Sequence, residues 1–179
     1  MSKDDETRLV VQLNNGDTEA YRQLLDNHLP AVSRYVTRMM GNANETEDII
    51  QEVFFRLWHK SGNFNPAKAR LSTWLHQIAH NLCIDHFRKH QPDDMLDPDE
   101  LTGGTEPAGE LSQRRSALNI EQAIQSLPER QRSAIVMCHY QGQSNKEAAA
   151  ILQVSVDALE SLLSRGRKRL RGLLEGEMS

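Results

Sequence analysis

Aromatic side chains make up only 5% of this 179-residue chain, and cysteine occurs only twice. Cys83 and Cys138 both fall in apolar helical patterns. That placement suits buried free thiols in a reducing compartment better than a disulfide. No run of about 18 apolar residues is present, so no membrane-spanning helix is expected. The opening Met-Ser-Lys-Asp-Asp-Glu is polar and acidic, unlike a signal peptide, and a cytoplasmic location follows as an expectation. Glycine-rich phosphate loops, Gly-x-Ser-x-Gly elbows and repeated Cys-x-x-Cys motifs are all missing. The chain therefore offers no recognisable catalytic apparatus, and neither an enzyme activity nor a cofactor is expected.

What is present is ordinary in bulk and uneven in placement. Hydrophobic residues at 38% and charged residues at 26% describe a globular chain, with a net charge of −4. Residues 1–90 balance eleven cations against eleven carboxylates. Residues 91–112 carry seven carboxylates and no Lys or Arg, while 113–179 have a net charge of +3. Pro92, Pro98, Pro107, Gly103, Gly104 and Gly109 also crowd into the acidic stretch. It reads as a flexible, self-repelling linker between two small domains, 1–90 and 113–179. A sharper reading is that its acidity mimics nucleic acid and either occupies a basic channel or masks the C-terminal domain.

The first half shows no period-two alternation, so it reads as all helical. Leu9, Val10 and Leu13 mark one helix, which Asn14-Asn-Gly-Asp17 breaks. Asp17 or Thr18 caps the next, Pro30 ends it or starts another, and Gly41 is a plausible stop. Between Glu45 and Lys89 the pattern is densest. Ile49, Ile50, Val53, Phe54, Leu57 and Trp58 form one stripe. Asp48, Gln51, Glu52, Phe55 and His59 form another, an aromatic among carboxylates that fits a docking surface for a basic partner. The plainer reading is an acidic solvated face with Phe55 partly tucked in.

Ser61 to Arg70 reads as a loop carrying Phe64, Lys68 and Arg70. Ser72 and Thr73 are candidate caps for a helix with the stripe Leu71, Trp74, Leu75, Ile78, Ala79 and Leu82. Away from that stripe lie Asn81, Asp85 and Arg88, followed by Lys89. A ring and several cations suit single-stranded nucleic acid, with bases stacking and phosphates paired. Alternatively Phe64 folds back onto the helices. On the same helix His76, His80 and Cys83 stand at i, i+4 and i+7, and His86 and His90 repeat the i+4 step. Such spacing can hold zinc, but imidazoles serve equally as neutral hydrogen-bonding groups, and no metal site is expected.

After the linker, Leu118, Ile120, Ala123, Ile124 and Leu127 suggest one helix and Pro128 opens the next, which Gly142 closes. Ser144 with Glu147 forms a capping box for a short helix. Gln153-Val-Ser155 is a tight turn before a last helix from Val156 to about Leu174. Short helix, turn and longer helix is the helix-turn-helix layout. The outer side of its second helix offers Ser155, Asp157, Ala158, Glu160, Ser161 and Ser164. Arg165, Arg167, Lys168, Arg169 and Arg171 then place five cations in seven residues, suited to phosphates.

Asp48-Ile-Ile-Gln-Glu-Val-Phe-Phe-Arg-Leu-Trp58 and Leu71 to Lys89 resemble region 2 of bacterial sigma factors, most closely the extracytoplasmic-function (ECF) group. Leu127-Pro-Glu-Arg-Gln-Arg and Asn145 to Val156 resemble sigma region 4. The resemblance implies a two-domain all-α protein that directs core RNA polymerase to promoters. It assigns Asp48, Gln51, Glu52, Phe55, Arg56 and Trp58 to the beta-prime clamp. It gives Phe64, Lys68, Arg70, Trp74, Asn81, Asp85, Arg88 and Lys89 to the melted minus-ten element. The Ser155–Arg169 face falls to the minus-thirty-five element, with the polymerase beta flap as a further partner. It also implies control by an anti-sigma factor, soluble or membrane-bound, and a monomer when free. Many family members have Thr-Val-Lys-Ser-Arg where this chain has Ala158-Leu-Glu-Ser-Leu162, so Glu160 replaces a frequent cation. Glu160 could accept a hydrogen bond from a cytosine amino group. A stand-alone helix-turn-helix regulator, its first half a dimerisation or ligand domain, is the alternative; a metal enzyme built on the histidines is a remote third.

Overall fold

A computed structural model describes residues 1–90 and 120–176. The linker expected at 91–112, and the residues that follow it to 119, lie outside the described residues. Among those described, every regular element is helical. The first unit contains α1 (Lys3–Asn14), α2 (Thr18–Met40), α3 (Ala43–Lys60), a 3₁₀ turn (Ser61–Asn63) and α4 (Leu71–His90). The second contains α5 (residues 120–125), α6 (Glu129–Ile135) running into a π-helical turn (Val136–Tyr140), α7 (Asn145–Leu152) and α8 (Val156–Gly176).

Local chemistry sets most boundaries. The Asp17 carboxylate accepts from the amides of Glu19 and Ala20 and starts α2. Gly41, at φ +67°, ends α2 in the left-handed conformation that glycine tolerates best. Ser144 and Glu147 form a reciprocal capping box on α7. Ser155 accepts from the Ala158 amide at the start of α8.

Three boundary expectations need correction. Pro30 neither ends nor starts a helix; it lies inside α2. An interior proline costs roughly 3 kcal/mol. Leu24 on one side of it and Val32, Tyr35, Val36 and Met39 on the other are fully buried. Each such side chain contributes about 1.5–3 kcal/mol on burial, which outweighs the proline. Ser72 and Thr73 do not precede α4 but sit in its first turn, because Leu71 is buried and already helical. The helix expected from Glu129 to Tyr140 changes to a π turn at Val136.

The two units share one continuous core. Leu57, Leu71 and Leu75 belong to the same buried cluster as Leu127, Ile135 and Ile151. Helix α4 packs against α7, and α2 against α6 and the π turn. Within the second unit α6 crosses α8 closely at Gly166, where a Cβ would stand 3.0 Å from Ile135 Cγ1. Cys83 is buried and free, with burial pushing its thiol up to about 12, and Cys138 is half-buried and free.

Candidate docking and nucleic-acid surfaces

Helix α3 turns two different faces outward and inward. Ile49, Val53, Phe54 and Leu57 are buried. On the other side Asp48, Gln51 and Phe55 are exposed, Phe55 by 57%, and Glu52, Arg56 and Trp58 are half-buried. The Phe55 ring lies 4.2 Å from the His59 ring. Arg56 Nε donates to Glu52 at 2.7 Å, an i,i+4 pair that fixes both side chains along the helix. Beside this face runs an open apolar groove of about 420 Å³, walled by Tyr21, Leu25 and Leu29 of α2 and by Ile50, Phe54, Phe55 and Trp58. Trp58 meets Tyr21 edge to face at 5.2 Å. The sequence pattern did not single out Tyr21, Leu25 or Leu29, the α2 wall of this groove.

The second surface follows the loop and α4. Lys68 and Arg70 are exposed, as are Asn81, Asp85, Arg88 and Lys89 along one side of α4. Arg88 stands 3.9 Å from Asp85 with both side chains in solvent, so that pair adds little stability. Phe64 is not the exposed ring the loop composition suggested. It is half-buried and pairs with half-buried Trp74 at 5.8 Å between ring centres. The histidines of α4 do not converge on a metal. His76 Nδ1 bonds to the Ser72 carbonyl at 2.7 Å. His80 Nδ1 meets the Tyr35 and Ser133 hydroxyls at 3.0 and 3.3 Å. His86 reaches Glu45 at 3.3 Å and stacks on His90. No metal-binding cluster occurs among the described residues.

The third surface is α8. Leu159, Leu162, Leu163 and Gly166 face the core. Asp157, Ala158, Glu160, Ser161 and Ser164 are exposed, as are Arg165, Arg167 and Lys168, while Arg169 is half-buried. Ser155 is exposed, but its hydroxyl oxygen already caps the helix. The Ser161 hydroxyl donates to the Asp157 carbonyl at 3.0 Å. Glu160 is held from α7: Asn145 Nδ2 donates to its carboxylate at 3.4 Å. Asn145 carried no signal of that role in the sequence beyond its place just after a cap.

Comparison with known proteins supplies the frame for these three faces. The Sigma-70 region 2 family model matches residues 24–92, and the Sigma-70 region 4 model matches residues 117–170. The chain is 32% identical to the ECF RNA polymerase sigma factor SigW of Bacillus subtilis, over 90% of this chain and 92% of that one. It is 30% identical to the ECF RNA polymerase sigma factor SigE of Mycolicibacterium smegmatis, over 96% and 69% of the two chains. Among solved structures, CnrH in complex with the cytosolic domain of CnrY superposes with a TM-score of 0.73 at 24% identity, covering 96% of this chain and 98% of that one. The sigma factor RpoE in complex with the anti-sigma factor NepR, from Bartonella quintana, gives a TM-score of 0.67 at 27% identity, covering 88% and 98%. Helical fold, order of the two matched regions and identity along nearly the whole length agree: the chain belongs to the ECF RNA polymerase sigma factors.

Proposed function

We propose that this sigma factor divides promoter recognition among the three faces described above. Helix α3 docks on the beta-prime clamp of core RNA polymerase through Asp48, Gln51, Glu52 and Phe55, with Arg56 and Trp58 at the margin. The carrying observation is Phe55, 57% exposed beside acidic side chains and an apolar groove. Aromatic side chains, phenylalanine among them, are enriched at protein–protein interfaces over the rest of the surface. Lys68, Arg70, Asn81, Arg88 and Lys89 hold the opened minus-ten strand, with the Phe64–Trp74 pair offering a stacking edge. Asp85 orients Arg88.

The α8 face enters the major groove at the minus-thirty-five element. Asp157, Ala158, Glu160, Ser161 and Ser164 stand nearest base edges, and Arg165, Arg167, Lys168 and Arg169 meet phosphates. Residues 1–90 and 113–179 are the two working domains, and the second also contacts the beta flap. The chain has no catalytic step of its own. It acts as a monomer in the cytoplasm, where an anti-sigma factor, free or membrane-bound, holds it off the polymerase. The complex of the sigma factor RpoE with the anti-sigma factor NepR supports control by an anti-sigma factor. No helix among the described residues is long and apolar enough to cross a membrane. A regulator acting on duplex DNA alone would have no use for the α3 face.

Affinity for purified core polymerase tests the docking assignment. Phe55→Ala and Asp48→Arg are each expected to weaken the complex at least tenfold, in line with loss of a hot-spot side chain, while leaving the helical content unchanged. Wild-type affinity in both variants would remove α3 as the docking element.

A further inference from the structure

Asn145 opens α7, placed there by the Ser144–Glu147 capping box. Its exposed side chain bridges two other elements. Nδ2 donates to the Glu160 carboxylate of α8 at 3.4 Å. Oδ1 accepts from the half-buried Cys138 thiol of the π turn at 3.8 Å. The thiol takes the carbonyl end of the amide, so the amino end is turned toward Glu160. Arg167 lines the same open cleft between the π turn, α7 and α8. The backbone beneath both partners is fixed, because Ala148, Ala149 and Ile151 of α7 and Leu159 and Leu163 of α8 are buried. In a helix-turn-helix the first helix crosses the DNA backbone, and the N-terminal residues of the second meet base edges. Asn145, at the start of the first helix, and Glu160, one turn into the second, both fall on that side.

We propose that Asn145 is a positioning residue, which aims Glu160 at one base of the minus-thirty-five element and makes the chain select cytosine there. The inference rests on the groove-reading role assigned to α8 above. An untethered surface glutamate samples many rotamers, and fixing it costs entropy when DNA binds. Asn145 meets that cost in advance: one carboxylate oxygen is engaged, and the other is left for a donor on the duplex. In the major groove cytosine presents its N4 amino donor, guanine presents only the N7 and O6 acceptors, and thymine presents O4. A carboxylate only accepts. It therefore gains a bond from cytosine and meets lone pairs at guanine and thymine. Adenine, with a donor beside an acceptor, ranks between. Arg167 on the same cleft offsets the repulsion between the carboxylate and flanking phosphates. A good base contact discriminates by roughly five- to a hundredfold. The tether is a single hydrogen bond, and its share is about two- to tenfold.

Selection from duplexes randomised over the minus-thirty-five region tests this, with the full chain bound to core polymerase and, in parallel, the full chain alone. The wild type should enrich cytosine over guanine at one position, by about fivefold or more. Glu160→Gln should move that position toward adenine, whose N6 and N7 suit an amide. Asn145→Ala should lower the cytosine-to-guanine ratio there about two- to tenfold and leave the other positions unchanged. Asn145→Asp keeps the shape and suits the first turn of α7, but it puts an acceptor where the donor was, and it should lose the same ratio. A wild type with no cytosine-selecting position that Glu160→Gln alters overturns the proposal. So does an Asn145→Ala variant that keeps the full ratio, or one whose enrichment falls equally at every position, the mark of a purely structural role. If the chain alone selects duplexes and the core-bound form does not, the polymerase assignment fails, and the ratios from the chain alone decide the Asn145 role by the same criteria. Selection of no sequence by either form refutes both.

Discussion

His80 is enclosed by Tyr35, Ser133 and the charge of Arg130, and burial is the main reason its pKa falls to about 4. In the unfolded chain the imidazole titrates near 6.5. Above that pH both states are neutral and the shift has no effect on stability. Below it the unfolded chain takes up a proton that the folded chain refuses, so stability falls from about pH 6.5 and the loss levels off near pH 4. The full loss approaches roughly 3 kcal/mol. His76, also lowered by burial, contributes with the same sign. Urea unfolding should therefore show a lower midpoint at pH 5 than at pH 7, and the NMR titration of His80 should lie far below 6.5. A His80 midpoint near 6.5 contradicts this burial. The spacing of His76, His80 and Cys83 was visible in the sequence, but their partners were not. Tyr35 and Ser133 lie 45 and 53 residues from His80, and no local pattern encodes such a contact.

Elements were more legible than single side chains. The α3 stripe, the Asp17 and Ser144 caps, the Gly41 stop and the tight turn after α7 all follow from local chemistry, and these features stand where that chemistry puts them; the left-handed φ of 56° at Gln153 does not follow from it. Pro30 misled because a local penalty was set against burial that only the folded helix reveals. Helix α8 offers an internal comparison. A Cβ on Gly166 meets Ile135 at 3.0 Å, whereas one on Gly172 meets nothing within 4 Å. Gly172→Ala should stabilise by up to about 1 kcal/mol through helix propensity. Gly166→Ala should instead destabilise by roughly 1 kcal/mol or more, as overpacking of the α6–α8 crossing exceeds the same propensity gain. Thermal unfolding of both variants checks this, and shifts of the same sign would show that the crossing is looser than described. On the exposed side, Lys168→Ala should weaken DNA binding uniformly across sequences and reduce the salt slope of the binding constant by about 1. A sequence-dependent loss would move Lys168 from phosphate to base contact.

At the scale of the molecule, composition separated two units by an acidic stretch, and the two family matches fall on either side of its centre. Composition gave no hint that the units share a core. That contact rests on Arg132, Ser133, Gln125 and Gln141, ordinary polar residues whose importance comes from where the fold places them. The exposed faces of α3, α4 and α8, for which we propose docking, strand holding and groove reading, were legible as polar and charged stripes set apart from the apolar pattern. Run-off transcription with purified core polymerase and a promoter library tests their combined role most directly. The chain should start transcripts from templates sharing one minus-ten and one minus-thirty-five element at a fixed spacing. Transcripts no more frequent than with core enzyme alone, on every template, would contradict the account.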